Sequence, residues 1–353
     1  MLRWIFLLFV IHVEGIHVIK TSNQTSAQGH KKAIGGCPAA AAARSGIADG
    51  DAFGNDFDAC MINRWTGNTA AGVPVLKTSP TASCSSKTHA RLCYGIDLPA
   101  RRPNNAQYIS CYNTARLIPE FTAHAVTYST TILPAYKRPK FSEDKGPCAP
   151  NPQSVAKDCS KPPGTTGNYY CSRGHLTPSA AFDTKDERDL TFKMTNVAPQ
   201  WQEFNGGNWA AVENAIKTYV QTKKTDLYVF TGTAGISKYW QWGLRWTFTA
   251  PTVKTVVPSY YWKAVCDPVA KQSIFFTAQN NVNDASKDKV DSASCFNMKM
   301  TKERGVIECE SISQAAGRYI RNWWHGFVVP DFHPVNCGTD TKGAFLQPHL
   351  KFT

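Results

Sequence analysis

Twelve cysteines limit what this chain can fold into more than any other feature of its sequence: Cys37, Cys60, Cys84, Cys93, Cys111, Cys148, Cys159, Cys171, Cys266, Cys295, Cys309 and Cys337. An even number in an exported protein reads as a disulfide framework, here of at most six bridges, whose pairing the sequence leaves open. The N-terminus supports export. Arg3 precedes a short apolar run from Trp4 to Val13, and Val13 and Gly15 are small residues at the −3 and −1 positions of a cleavage after Gly15. This is the build of a secretory signal peptide over residues 1–15, too short to span a bilayer. No other segment approaches the ~18 apolar residues of a membrane helix. The expectation is therefore a secreted, extracellular protein with no membrane association. Asn23 opens an Asn-Gln-Thr sequon and is the expected glycosylation site.

Lys and Arg number 39 against 26 Asp and Glu, a net charge of +13. Such an excess suits nucleic acid, anionic glycans or a membrane surface, and does not choose among them. The 42% hydrophobic fraction is that of a globular chain and argues against extensive disorder. Residues 16–103 form a cysteine-bearing N-terminal region. Residues 16–50, rich in Ser, Ala, Gly and Lys without sustained periodicity, read as a loose lead-in. About Asp51–Pro103, with cysteines in a Gly/Asn/Thr-rich context, reads as a small, loop-rich, disulfide-held module. Arg101–Asn105 reads as a linker. Over residues 104–345 the texture becomes mixed α+β. Gln107–Tyr112, His124–Ile132, Leu227–Thr231 and Ser273–Thr277 read as strands, and Thr231–Gly235 as a turn ending the third of them. Trp209, Val212, Ile216, Tyr219 and Val220 form one stripe of a helix over about 208–222.

The chemistry concentrates between Ser172 and Glu213. Cutting a phosphodiester in water requires removal of a proton from the attacking water, charge to offset the phosphate, and help for the leaving oxygen. His175 suits the first task, because an imidazole titrates near neutrality. Arg173 offers a planar fork matched to phosphate oxygens, and Gly174 between them leaves room for close approach by a bulky ligand. Asn205 offers an amide oxygen, a hard ligand of the kind Mg²⁺ accepts while keeping several waters. Glu213 lies two turns on, about 80° around if both are helical, where it can hold metal-bound water. Asn196 and Gln200 are candidates to orient ligands or waters.

Three stretches give these residues a context: Ser172-Arg-Gly-His-Leu-Thr-Pro178, Thr195-Asn-Val-Ala-Pro-Gln200 and Asn205-Gly-Gly-Asn-Trp-Ala-Ala-Val-Glu213. In order and in kind they resemble the motifs of the DNA/RNA non-specific endonucleases, of the ββα-metal (His-Me finger) superfamily. Leu227–Gly232 and Val257–Val265 extend the likeness, which covers about two-thirds of the chain. The resemblance implies an α+β fold with a ββα-metal core, behind the N-terminal region. It implies a Mg²⁺-dependent cleavage of DNA and/or RNA, with Mn²⁺ or Ca²⁺ as substitutes and no obligate protein partner. His175 becomes the general base, Asn205 the direct metal ligand, Glu213 the anchor of the metal's waters and Arg173 a phosphate clamp. Arg138, within Lys137–Asp144, corresponds to an upstream arginine that stabilises the transition state. Ser172 departs from the pattern, which carries an aspartate there, so metal affinity or phosphate positioning is where this chain is expected to differ.

Two other readings compete. Cys171 and His175, with Cys148 and Cys159, have the makings of a zinc site. A secreted nucleic-acid-binding protein with weak or lost nuclease activity would keep the basic charge and use Trp201 and Trp240 for base stacking.

Overall fold

The computed structural model describes residues 51–67, 74–96, 106–131, 136–146, 148–156, 159, 170–241, 244–247, 255–280, 289–319 and 326–353. The expected signal peptide, Asn23 and the 101–105 linker lie outside the described residues, as does the side chain of Trp240. The strands are β1 (His89–Tyr94), β2 (Tyr108–Asn113), β3 (Ile118–Val126), β4 (Cys171–His175), β5 (Val197–Trp201), β6 (Leu227–Ala234), β7 (Lys238–Gln241), β8 (Leu244–Thr247), β9 (Tyr260–Asp267), β10 (Gln272–Gln279), β11 (Lys289–Ser292), β12 (Met298–Thr301) and β13 (Ile307–Glu310). The longer helices are α1 (Lys185–Leu190), α2 (Ala210–Lys223) and α3 (Ile312–Tyr319). The fold is α+β.

Seven strands form one antiparallel sheet in the order β1-β2-β3-β6-β9-β10-β13. Its strands bury side chains on both faces, because successive side chains point to opposite sides and both sides are covered. On one face Val229, Tyr261, Val265, Ile274 and Phe276 pack with Val212, Ile216 and Val220 of α2. On the other, Phe121, Phe230, Trp262 and Phe275 pack with Phe57, Ile62 and Trp65 from the N-terminal side and with Ile312 and Ala315 of α3. The stripe expected for α2 is buried throughout.

Residues before and after position 104 share this sheet. β1 is its first strand, paired with β2 from Tyr94↔Tyr108 to His89↔Asn113, and the Cys84–Cys111 disulfide spans the same junction. Cys60–Cys93, Cys159–Cys171, Cys266–Cys337 and Cys295–Cys309 are also bonded, and Cys148 is in a disulfide. The zinc reading fails on this point, since an oxidised cysteine has no thiolate to give a metal.

Two boundaries differ from expectation for identifiable reasons. β3 begins at Ile118 and ends at Val126 rather than running over 124–132. The Asn113 side chain accepts from the amides of Ala115 and Arg116, so the chain reverses at once and pairing restarts at Ile118. The expected turn over 231–235 is strand as far as Ala234, because β9 pairs with β6 up to Ala234↔Tyr260, and the bend falls on Gly235 with φ +69°.

Candidate active site

β4 and β5 form a separate two-stranded ribbon, registered from Cys171↔Trp201 to His175↔Val197. Alternation along β4 sends Arg173 and His175 to one side and Ser172 and Gly174 to the other. Cys171 at its start is tied to Cys159, which pins the beginning of the strand. At its end the chain is braced by Asn196, whose Oδ1 accepts from Thr177 N at 2.9 Å and whose Nδ2 donates to the carbonyls of Thr177 and Thr191 at 2.9 and 2.8 Å. Asn196, fully buried, thus fixes the backbone just after His175.

His175 sits between two aromatic rings, with Phe192 edge-on at 4.9 Å and Phe141 tilted at 5.2 Å. Its Nε2 is buried without a hydrogen-bond partner. Burial, then the positive charges of Arg138 and Arg173, lower its pKa to about 3, so the ring is neutral near pH 7. Arg173 lies over the Phe141 ring at 4.4 Å and donates to the carbonyl of Ala156. Phe141 is delivered by the segment 136–144, which runs beside residues 192–194: Ser142 N donates to Phe192 O, and Met194 N to Ser142 O, both at 3.0 Å. The same segment carries Arg138, exposed, whose charge acts on both His175 and Glu213.

On the other side of β4, Ser172 and Asn205 meet. Asn205 Nδ2 donates to Ser172 Oγ at 3.1 Å, and Ser172 Oγ donates to the Gln200 carbonyl at 3.0 Å. The fully buried Gln200 side chain fills the space beside Gly174, where a Cβ would fall 2.0 Å from its Oε1. Gly174 is therefore required by a protein side chain, a demand its position beside His175 did not reveal. Both polar atoms of the Gln200 amide lack a protein partner. Asn205 does not begin a regular helix. It opens a wide turn, Asn205–Trp209, kinked at Gly207 (φ −97°, ψ −123°), and α2 follows. The simple helical angle between Asn205 and Glu213 does not apply.

Glu213, in the first turn of α2, faces a residue the motifs did not reveal. Lys263 of β9 is wholly buried, with Nζ 2.5 Å from Thr231 Oγ1, 3.9 Å from Glu213 Oε1 and 5.2 Å from the Trp209 ring. Burial drives the two partners toward neutrality, Glu213 upward and Lys263 downward, and their mutual attraction opposes it. His124, also buried and held well below the usual imidazole range, first by burial and then by Lys263, completes this cluster.

The ribbon thus joins Arg173, His175 and the 138–141 segment on one side, and Ser172, Gln200 and Asn205 on the other. Arg138 links the first group electrostatically to Glu213. Among the described residues no three His, Cys, Asp or Glu converge as a metal cage. The donors on offer are one amide oxygen, Asn205 Oδ1, which no described hydrogen bond engages, and the Glu213 carboxylate. That set fits a hard ion that keeps most of its own water, and does not fit a zinc site.

Comparison with known proteins bears on this geometry. A salivary endonuclease of Lutzomyia longipalpis is 35% identical over 112 residues, which is 32% of this chain and 27% of that protein, so the chain spans little more than a quarter of its relative. A crystal structure of the EndoG/EndoGI complex, which addresses the mechanism of EndoG inhibition, aligns at 19% identity over 53% of this chain and 76% of that one. Its TM-score of 0.35 is too low to support an argument. The model of the DNA/RNA non-specific endonucleases matches residues 87–311, which include the whole seven-stranded sheet, the β4–β5 ribbon and α2, and this chain belongs to that family.

Proposed function

We propose that this protein hydrolyses phosphodiester bonds of DNA and/or RNA without sequence preference, using His175 as the general base and a hydrated divalent ion, Mg²⁺ by preference. The observation that carries this reading is the buried, unpartnered Nε2 of a neutral His175 ring on which the charges of Arg138 and Arg173 act. A neutral imidazole is ready to take a proton from water. When a phosphate docks against Arg173 and Arg138, its negative charge cancels part of what depresses the ring's pKa, so basicity rises as substrate arrives. The two guanidiniums also offset charge on the phosphate oxygens. Asn205, through Oδ1, and Glu213, through the ion's own waters, would hold the metal. Bound there it would supply positive charge to the phosphate and the leaving oxygen. Asn196 keeps the end of β4 in place, while Ser172 and Gln200 support Asn205 from the side opposite His175.

The net charge of +13 suits contacts made to backbone phosphates, which carry little sequence information and weaken steeply with salt. The disulfides support export to an oxidising compartment, with residues 1–15 as the leader and Asn23 as a glycan site. Incubation with plasmid and with RNA, in Mg²⁺ or in EDTA, tests the reading. Cutting that EDTA abolishes is expected. Retarded migration with intact substrate would identify a binding protein instead, and EDTA-resistant cutting would remove the metal from the mechanism.

A further inference from the structure

We propose that Ser172 is a positioning residue that sets which end of the Asn205 amide is free for the metal. This rests on the reading of Asn205 as a metal ligand. An asparagine amide presents an oxygen on one side and an NH₂ on the other, and only the oxygen can bind a cation. The two ends are nearly alike in shape, so orientation is decided by hydrogen bonds. Here it is decided by proton count. The Ser172 hydroxyl has one proton, and its neighbour across the ribbon, the Gln200 carbonyl at 3.0 Å, can only accept. That proton is thereby committed, and the oxygen lone pairs of Ser172 face Asn205 at 3.1 Å. Only Nδ2 can answer an acceptor. Oδ1 is then turned away from Ser172, and no described hydrogen bond engages it.

Burial makes the arrangement firm. Ser172 is 8% exposed, so water does not readily replace either bond. A serine does this without adding a charge beside the phosphate site. An aspartate at 172 would also accept from Nδ2, but it has no proton for the Gln200 carbonyl and brings a negative charge that attracts a cation. Both side chains give the same amide orientation, and alanine gives none.

The test is Mn²⁺ binding to the full, oxidised chain, read from the electron paramagnetic resonance signal of the free ion, with melting curves confirming the fold. Wild type, Asn205→Ala, Ser172→Ala and Ser172→Asp are compared. Asn205→Ala is expected to lose most binding. Ser172→Ala should weaken it roughly tenfold, the scale set by outer partners of metal ligands, and Ser172→Asp should bind at least as well as wild type. If the alanine variant is misfolded, Ser172→Cys repeats the test, since a thiol of similar shape is a poor acceptor. Unchanged binding in Ser172→Ala, with binding lost in Asn205→Ala, overturns the role of Ser172 and leaves the ligand reading standing. So does a Ser172→Asp variant as weak as Ser172→Ala. Unchanged binding in Asn205→Ala overturns the ligand reading itself, and this proposal with it.

Discussion

On one face of the main sheet, Phe57, Trp65, Phe230, Trp262 and Phe275 pack among three disulfides, Cys60–Cys93, Cys84–Cys111 and Cys266–Cys337. On the opposite face, four adjacent strands carry a row of wholly buried polar side chains in register: Ser110, Thr122, Thr231 and Lys263. Each is used. Ser110 donates to the Thr195 carbonyl, Thr122 accepts from Thr177 just beyond β4, and Thr231 meets Lys263, which faces Glu213. Alternation along a single strand separates the two regimes: in β9, Lys263 faces Glu213 and Cys266 the cross-linked side. Buried polar groups stabilise little when paired and cost much when not. A covalently stapled apolar face lets the same strands carry them.

Breaking the stapled side should act on stability and not on chemistry. Replacing Cys266 and Cys337 together by Ser removes a bridge across 71 residues and should cost about 2–5 kcal/mol of unfolding free energy. The rate of phosphodiester cutting by the folded fraction should stay at the wild-type value. Chemical denaturation and single-turnover assays, run side by side, check this.

Breaking the polar side should act on both. Glu213→Gln leaves the Lys263 ammonium without its carboxylate, and removing one partner of a buried pair costs about 3 kcal/mol or somewhat less when the lysine can shed its proton. Adding Lys263→Met should recover most of that stability and none of the activity. A double-mutant cycle on denaturation midpoints measures the recovery.

A smaller effect is expected at the ribbon. Gly174→Ala drives a methyl into Gln200 and should destabilise by about 1–3 kcal/mol. Activity should fall through displacement of His175 and Ser172, in a way that a larger metal concentration only partly restores.

The motif residues, the helix and the cysteine framework were legible in the sequence, because each is a local pattern: His175 beside Arg173, a 3.6-residue stripe, an even cysteine count. Lys263 was not. Within Tyr-Tyr-Trp-Lys-Ala-Val it reads as an ordinary strand lysine, and only the layer of α2 above β9 shows that its side of the strand is closed to water. The demand on Gly174 was invisible for the same kind of reason, since Gln200 reaches it across a ribbon 26 residues later. The N-terminal cysteines were legible as a framework but not as partners of the main sheet, because pairing is settled by strand neighbours and not by spacing.

The smallest expected effect is on acid stability. The native state holds His175 neutral down to about pH 3, whereas the unfolded chain takes up its proton near the ordinary value of about 6.5. Stability is therefore whole above pH 6.5 and declines as pH falls through that window. His124, depressed in the same direction, adds to the loss. His175→Gln should lessen the drop in urea midpoint between pH 7 and pH 5, leaving the share due to His124.

The role proposed for His175 is removal of the proton from the attacking water. Single-turnover cleavage of a plasmid at saturating Mg²⁺ by wild type and His175→Ala, with Mn²⁺ binding and melting temperature matched, tests it directly. A rate lower by about 10²–10⁴ in the variant is predicted, the range for loss of a general base. Equal rates from the two proteins would contradict it.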